Sequence, residues 1–133
     1  MTTPSHPQSA MQSYFAALAS GDETRLVRCF TEDAVWTAPG QLPNSGTWSG
    51  ARAIVEEFFP IATRRMVPGS MSTKMLSLTY GENNAIVEWE TEATIVDGRT
   101  YTNSYMANFI ISGDRIFEVR EYFDTQQGQT LYA

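Results

Sequence analysis

The sequence has little cysteine, histidine or positive charge. Its 133 residues include one cysteine, Cys29, and one histidine, His6. A disulfide within the chain is therefore impossible, and neither a Cys–His or Ser–His catalytic pair nor an ordinary zinc site is expected. Nine Lys and Arg residues stand against 15 Asp and Glu residues, which gives a formal net charge of −6. That balance disfavours binding to nucleic acid or to anionic membrane surfaces.

Other signatures are also missing. No apolar run is long enough to span a bilayer, and no Gly-rich phosphate loop follows a strand. We therefore expect a cytoplasmic protein without a metal or cofactor and without nucleic-acid or membrane partners. The length predicts one domain, 1–133, in which 1–8 and the Gln-rich segment 126–133 are flexible tails.

The first half of the chain has the periodicity of helices. One helix face is predicted by apolar residues spaced at i, i+3, i+4 and i+7, namely Met11, Tyr14, Phe15 and Leu18. Asp22 is placed to cap a second, short helix. A loop rich in Pro, Gly, Asn and Ser follows at 39–50, and a third helix begins near Ala51 and is ended or kinked by Pro60.

The second half is typical of strands. Four strands are predicted at 71–80, 85–96, 99–112 and 115–124. Asp97-Gly98 is a strong hairpin signal, and consecutive hairpins give an antiparallel meander. Helices followed by a meander predict an α+β fold, with the helices packed on one face of the sheet.

One acidic residue stands out in the last predicted strand. With a period of two, Phe117, Val119, Glu121 and Phe123 share a face, and three of these four are apolar. A carboxyl on that face loses water, so its pKa should rise toward a range useful for proton transfer. A structural ion pair with Arg120 or another arginine is the alternative.

The preceding strand predicts polar partners for this acid. Its inward face combines two phenols and an amide with apolar neighbours, in the order Tyr101, Asn103, Tyr105, Ala107 and Phe109. Small-molecule pockets are mostly apolar with a few convergent polar groups. We therefore expect a pocket here in which Tyr105 and Asn103, together with Tyr14, donate hydrogen bonds.

Several segments resemble one protein family. The runs YFAALASGD at 14–22, FTEDAVW at 30–36 and GTWSG at 46–50 are similar to the first half of a nuclear transport factor 2-like domain. The segment 113–124 resembles the last hairpin of its SnoaL-like branch. This branch includes polyketide cyclases, and the superfamily also includes ketosteroid isomerase and limonene epoxide hydrolase.

The resemblance implies a cystatin-like α+β roll. In that fold a curved antiparallel sheet wraps around the N-terminal helices and forms a cone with an apolar pocket. Homodimers through the outer sheet face are common in the family. Val87 and Trp89 are candidates for such an interface, with Glu88 and Glu90 on the opposite face.

The resemblance also suggests roles for individual residues. Glu121 falls where the cyclases and epoxide hydrolases carry an acid/base residue, and Tyr14 matches a tyrosine of ketosteroid isomerase. Tyr105 falls at that enzyme's second oxyanion donor, but its general base falls at Ala38, which cannot accept a proton. Glu90 falls at an Asp of the epoxide hydrolases.

These observations lead to one functional hypothesis with two alternatives. The protein is expected to bind an apolar, oxygen-bearing small molecule and to catalyse an aldol-type cyclisation or an isomerisation through Glu121, Tyr14 and Tyr105. The residues expected to contact the substrate are Asn103, Trp36, Phe58, Glu90, Phe123 and Tyr101. The alternatives are a binding protein without turnover, and epoxide-hydrolase-like activation of water between Glu90 and Glu121.

Overall fold

The computed structural model describes residues 6–133. Its helices are α1 (Pro7–Ser20), α2 (Glu23–Val27), α3 (Phe59–Thr63), which directly follows a π-helical segment (Ala53–Phe58), and α4 (Thr125–Tyr132). Its strands are β1 (Phe30–Ala38), β2 (Gly46–Ser49), β3 (Ser72–Tyr80), β4 (Asn84–Thr94), β5 (Thr100–Ser112) and β6 (Arg115–Phe123). No helix within the described range is long and apolar enough to cross a membrane.

The α+β prediction is confirmed. The six strands form one curved, unclosed sheet in the order β2-β1-β6-β5-β4-β3. The last four strands make the predicted meander, whereas β1 runs parallel to β6 and antiparallel to β2. The sheet is therefore mixed, with β1 and β6 as its parallel pair. The helices and strands between them provide the long connection that a parallel pair needs.

Local sequence explains how the helices begin and end. Gly21 ends α1 with φ 70°, the left-handed conformation that glycine adopts at low cost. The carboxylate of Asp22 then accepts a hydrogen bond from the backbone N–H of Arg25 at 3.1 Å, which caps α2 as predicted. The third predicted helix does not end at Pro60. It continues to Thr63, because Pro60 lies in the first turn of α3, where its missing N–H costs little.

The core lies between the helices and the inner sheet face. Met11 and Ile54 on the helices and Ile116 and Val119 on the sheet are fully enclosed. Trp89 packs at the margin of this core, and Val87 is 3% exposed within it. These two side chains point inward, so the expectation that they form a dimer interface is wrong; homodimerisation itself stays a prediction.

A bulge changes the predicted inner face of β6. The pairing with β5 shifts between Ile110 and Ile111, which pair with Glu118 and Ile116 respectively. The extra residue, Phe117, is therefore turned outward and is 41% exposed, although it was predicted to face inward. From Val119 onward the predicted alternation holds, so Glu121 still points into the protein.

The C-terminal segment forms a helix where a flexible tail was expected. Asp124 accepts a hydrogen bond from the backbone N–H of Gln127 at 3.0 Å and thereby caps α4. Leu131 is 2% exposed and packs beside Tyr101, which anchors the helix to the sheet. At the other end of the chain, Pro7 and Gln8 already belong to α1, and residues 1–5 of the predicted N-terminal tail lie outside the described residues.

Candidate functional site

A cavity of about 310 Å³ lies between the inner sheet face and the helices. Its wall is mostly aromatic and aliphatic, and it includes Trp36, Phe58, Trp89, Phe109 and Phe123. The size and apolar character are typical of a site for a small organic molecule. Within the described part of the chain, no Lys, Arg or His lines this cavity.

Glu121 is the only acidic residue in the described cavity wall. It is 8% exposed, and its Oε1 accepts a hydrogen bond from the indole N–H of Trp36 at 3.3 Å. Burial raises the pKa of Glu121 to about 7, and the Trp36 hydrogen bond opposes part of that rise. At neutral pH the carboxyl group can therefore either accept or donate a proton.

Among residues 6–133, no cation forms an ion pair with Glu121. Its neighbour Arg120 forms an ion pair with Glu118 at 3.0 Å instead, and none of the ion pairs in residues 6–133 includes Glu121. Strand alternation explains why Arg120 pairs with Glu118 and not with Glu121. Glu118 and Arg120 are partly buried on one face of β6, and Glu121 lies on the other face. The structural ion pair that the sequence left open is therefore not formed.

Tyr14 brings a phenol from α1 to the same cavity. Its ring packs against Phe109 and Phe30, with centroid distances of 5.4 and 5.8 Å. Burial raises the pKa of Tyr14 well above its usual value, and the nearby Glu121 carboxylate raises it further. The hydroxyl of Tyr14 therefore stays protonated and can act as a hydrogen-bond donor.

Two more phenols form a linked pair on β5. The hydroxyl oxygens of Tyr101 and Tyr105 lie 2.6 Å apart, and both residues line the cavity. The ring of Tyr105 is stacked on Trp89 at 5.1 Å and packs against Phe123 at 5.3 Å. Burial is the main reason that the pKa of Tyr105 is raised far above its usual value, so this hydroxyl also stays protonated.

Asn103 holds Tyr101 in place within the pair. Its Oδ1 accepts from the backbone N–H groups of Ser104 and Asp124, and its Nδ2 donates to the carbonyl of Asp124 and to the hydroxyl of Tyr101. Tyr101 accepts from Asn103, and either phenol can be the donor in the bond between Tyr101 and Tyr105. The hydroxyl of Tyr105 can donate to a ligand in the cavity when Tyr101 is the donor within the pair.

The predicted site residues fall into two groups. Seven of them line the cavity: Glu121, Tyr14, Tyr105, Tyr101, Trp36, Phe58 and Phe123. Asn103 is 6% exposed and lies behind this wall, so it holds Tyr101 rather than contacting a ligand directly. Glu90 is exposed and points to the outer face of the sheet, opposite to its neighbour Thr91, so the structure does not bring it to this cavity. Its contact with a substrate stays a prediction.

The sequence analysis missed several residues of the wall. Asn44 comes from the loop between β1 and β2, while Leu131 and Tyr132 come from α4. A signal for α4 was present, since Asp124 followed three residues later by Gln127 has the spacing of a capping box. No local signal points to Asn44, because its position depends on how the loop folds against the helices.

The arrangement is suited to acid–base chemistry. Within residues 6–133, no group of three or more His, Cys, Asp or Glu side chains is placed to hold a metal ion. The polar groups of the cavity instead combine one carboxyl of raised pKa with protonated phenols in an apolar wall. A carboxylate can remove a proton from carbon, and a phenol can stabilise the oxygen anion that results.

Comparison with known proteins supports the same architecture. A family model described as SnoaL-like domain matches residues 11–119. Similar solved structures include an NTF2-like protein from Burkholderia xenovorans LB400, with 20% identity over 96% of this chain and 98% of that one and a TM-score of 0.77. A protein with a cystatin-like fold from Xanthomonas campestris has 21% identity over 93% and 95% of the two chains and a TM-score of 0.78.

A third similar structure is that of TerC co-crystallised with polyporic acid, with 20% identity over 92% of this chain and 94% of that one and a TM-score of 0.78. At these identities the three structures show a shared fold.

Proposed function

The chain belongs to the SnoaL-like domain family, and from this we propose that it binds a neutral, apolar carbonyl compound and catalyses proton transfer on it. Glu121 acts as the base and Tyr105 as the main donor to the carbonyl oxygen. The observation that carries the proposal is the burial of Glu121 in an apolar cavity whose described wall, within residues 6–133, contains no cationic side chain. A carboxyl held in this way is costly to the fold, and perturbed acids of this kind cluster at functional sites.

The sheet register supports the pairing of acid and donor. Glu121 lies opposite Ala107, and Tyr105 lies opposite Phe123, so Glu121 and Tyr105 are diagonal neighbours on the inner face. Diagonal positions on adjacent strands are separated by about 7–8 Å at the backbone. Both side chains also line the same cavity, which supports the proposal that one carbonyl compound contacts the carboxylate and the phenol together.

The proposed reaction begins with the loss of a proton from the carbon next to the carbonyl. The Glu121 carboxylate takes this proton, and the electrons of the C–H bond form a C=C bond while the carbonyl oxygen becomes negative. The hydroxyl of Tyr105 donates a hydrogen bond to that oxygen, and Tyr14 is the second candidate donor. If the substrate has a C=C bond between the second and third carbons from the carbonyl, the anion extends over that bond. The proton on Glu121 then returns to the third carbon, the carbonyl re-forms and the C=C bond moves next to it, which completes an isomerisation.

An aldol-type cyclisation uses the same residues. The enolate carbon attacks a second carbonyl group of the same molecule, and the proton held by Glu121 passes to the new alkoxide. A positioned acid–base group contributes roughly 10²–10⁴ in rate, and a preorganised donor contributes about 10²–10³ more. Either reaction can therefore proceed with the side chains already described.

A binding function without turnover is the second candidate. The observation that favours it is the largely apolar wall, which suits retention of a ligand as well as its conversion. The similar structure of TerC, co-crystallised with polyporic acid, supports the proposal that this fold accommodates an organic ligand. Water activation between Glu90 and Glu121 is not proposed, because these residues lie on opposite faces of the sheet.

Hydrogen–deuterium exchange at carbon tests the proposal without knowledge of the natural substrate. 2-Tetralone, a neutral bicyclic ketone with acidic C–H groups, is incubated with the protein in D₂O, and its deuteration is followed by NMR. We expect exchange well above the buffer rate, and Glu121→Gln should reduce that excess by at least about 10².

The matched control is Glu118→Gln, which changes a carboxyl on the other face of the same strand and should leave exchange unchanged. Tight binding of the ketone with no exchange above buffer would reject the proton-transfer function and favour the binding protein. Equal exchange by the wild type and Glu121→Gln would remove Glu121 from the mechanism.

A further inference from the structure

Thr91 on β4 carries a buried hydroxyl group on the inner face of the sheet. The residue is 7% exposed and lines the cavity, on the same strand face as Val87 and Trp89. Within residues 6–133, its hydroxyl forms no hydrogen bond with a side chain or with the backbone. A buried hydroxyl of this kind has lost most of its hydration without a compensating bond, and a ligand can supply that bond.

The Thr91 hydroxyl can be reached from the cavity. In the described part of the chain, the side-chain oxygens that are both completely enclosed and unpaired belong to three other residues, Thr31, Asn44 and Tyr132. The Thr91 oxygen is not among them, so it borders open space. Because the Thr91 side chain points to the inner face of the sheet, that open space is the cavity.

The sheet register places Thr91 beside the phenol pair of β5. Thr91 lies directly opposite Asn103, and Tyr101 and Tyr105 lie two residues to either side of Asn103 on the same face. Both tyrosines are therefore diagonal neighbours of Thr91, within the range that long side chains on adjacent strands can span. Their hydroxyl oxygens meet at 2.6 Å, so the polar end of Tyr105 is turned toward the Thr91 row.

We propose that Thr91 is a further catalytic residue, which donates a second hydrogen bond to the ligand carbonyl oxygen bound by Tyr105. The inference rests on the proposed function, because it concerns the same oxygen and the same reaction. When Glu121 removes the proton from carbon, this oxygen becomes negative, and a second donor stabilises it further. Both donors are uncharged, so they suit an oxygen that is neutral in the bound ketone and gains charge only during the reaction.

The position of Thr91 distinguishes it from Tyr14. Along the inner face of β5, Tyr105 and Phe109 lie on either side of the residue that pairs with Glu121. Tyr14 packs against Phe109, with ring centroids 5.4 Å apart, whereas Thr91 lies next to Tyr105. Thr91 and Tyr105 are therefore the donors at one end of the ligand, and Tyr14 lies toward the other end.

Infrared spectroscopy of a bound ketone tests the contact directly. The C=O stretch of bound 2-tetralone is isolated as the difference between spectra recorded with the ¹²C=O and ¹³C=O ketones. Each hydrogen bond to the oxygen weakens the C=O bond and lowers this frequency. Thr91→Val removes the hydroxyl and keeps the shape of the side chain, so it should move the band to higher frequency. Thr91→Ser retains the hydroxyl and should keep the band near its wild-type position.

Kinetics of deuterium exchange test the role in the reaction. Thr91→Val should lower kcat for the exchange of 2-tetralone by about 10² and change KM less, because the hydrogen bond strengthens as the oxygen becomes negative. Thr91→Ser should recover at least about tenfold of that loss. The matched control is Thr102→Val, which removes an exposed threonine hydroxyl from the outer face of β5. It should change neither the C=O frequency nor the exchange.

Thermal denaturation without ligand separates this role from a structural one. Since the Thr91 hydroxyl has no partner among residues 6–133, Thr91→Val should leave Tm unchanged or raise it. A fall of about 4 °C or more would overturn the proposal, because the hydroxyl would then serve the fold.

The remaining outcomes distinguish Thr91 from the proposed function as a whole. Exchange that depends on Glu121 but is unchanged in Thr91→Val, with an unshifted C=O band, would overturn the role of Thr91 and leave the proposed function supported. The Thr91 hydroxyl would then bind only water. A C=O band that depends on Thr91, in a protein that does not exchange the ketone above the buffer rate, would reject proton transfer and support Thr91 as a contact of the ligand oxygen.

Discussion

Replacement of Glu121 by Gln should make the protein more stable, and the gain should depend on pH. The pKa of Glu121 is about 7 in the folded protein and 4.5 as the ordinary value. Between these values the folded state holds a proton that the unfolded state has released, so the stability of the wild type falls as pH rises through this range. Gln has no such proton and retains an oxygen that can accept from Trp36.

The magnitude follows from the size of the pKa shift. A rise of the carboxyl pKa from 4.5 to about 7, at about 1.36 kcal/mol for each tenfold change in acidity, corresponds to roughly 3 kcal/mol. The advantage of Glu121→Gln over the wild type should therefore be small at pH 4, grow between about pH 4.5 and 7, and reach about 3 kcal/mol at pH 8. Because Glu121 is 8% exposed, little of this energy is lost to solvent screening.

Urea denaturation of both proteins at a series of pH values provides the measurement. The difference between their free energies of unfolding isolates Glu121, because every other titrating group is common to both. Glu118→Gln serves as the control and should show no comparable gain between pH 4.5 and 7. A constant difference across the series, or a wild type that is the more stable protein at pH 8, would refute the reasoning.

Three further predictions concern other parts of the site. Tyr105→Phe should lower ketone deuteration by about 10²–10³, because it removes the proposed hydroxyl donor from the cavity wall; an unchanged rate would exclude this donor. Trp36→Phe removes the N–H that stabilises the carboxylate, so the pH midpoint of exchange should move above about 7; a downward move would contradict the geometry. Leu131→Ala should destabilise the protein by about 2–4 kcal/mol in urea denaturation and reduce amide protection in α4; no loss would mean that α4 is not docked.

The sequence predicted the strands well because their signals are local. The Asp97-Gly98 turn and the alternation from Tyr101 to Phe109 determine the β5 inner face directly, and the structure confirms it. The same alternation placed Glu121 inside. It failed for Phe117, because a bulge adds one residue to a strand and reverses its faces without a clear sequence marker.

The parts of the site that could not be predicted from the sequence depend on long-range packing. β2 was assigned to a loop, since its four residues gain their strand structure only by pairing with β1. Asn44 and Tyr132 reach the cavity because the loop before β2 and the helix α4 fold over it. Trp89 points inward because it pairs opposite Tyr105 on β5. The sequence alone could not distinguish an inward from an outward Trp89, because the register between β4 and β5 was not known.

The measurement that tests the central claim most directly is a titration of Glu121 by ¹³C NMR. Protein labelled at the glutamate side-chain carboxyl carbons is titrated from pH 4 to 9, and the Glu121 signal is assigned by its absence in Glu121→Gln. The account predicts a midpoint near pH 7. A midpoint near 4.5 would contradict it. The carboxyl group would then be hydrated or paired with a cation, and it would be too weak a base for the proposed proton transfer.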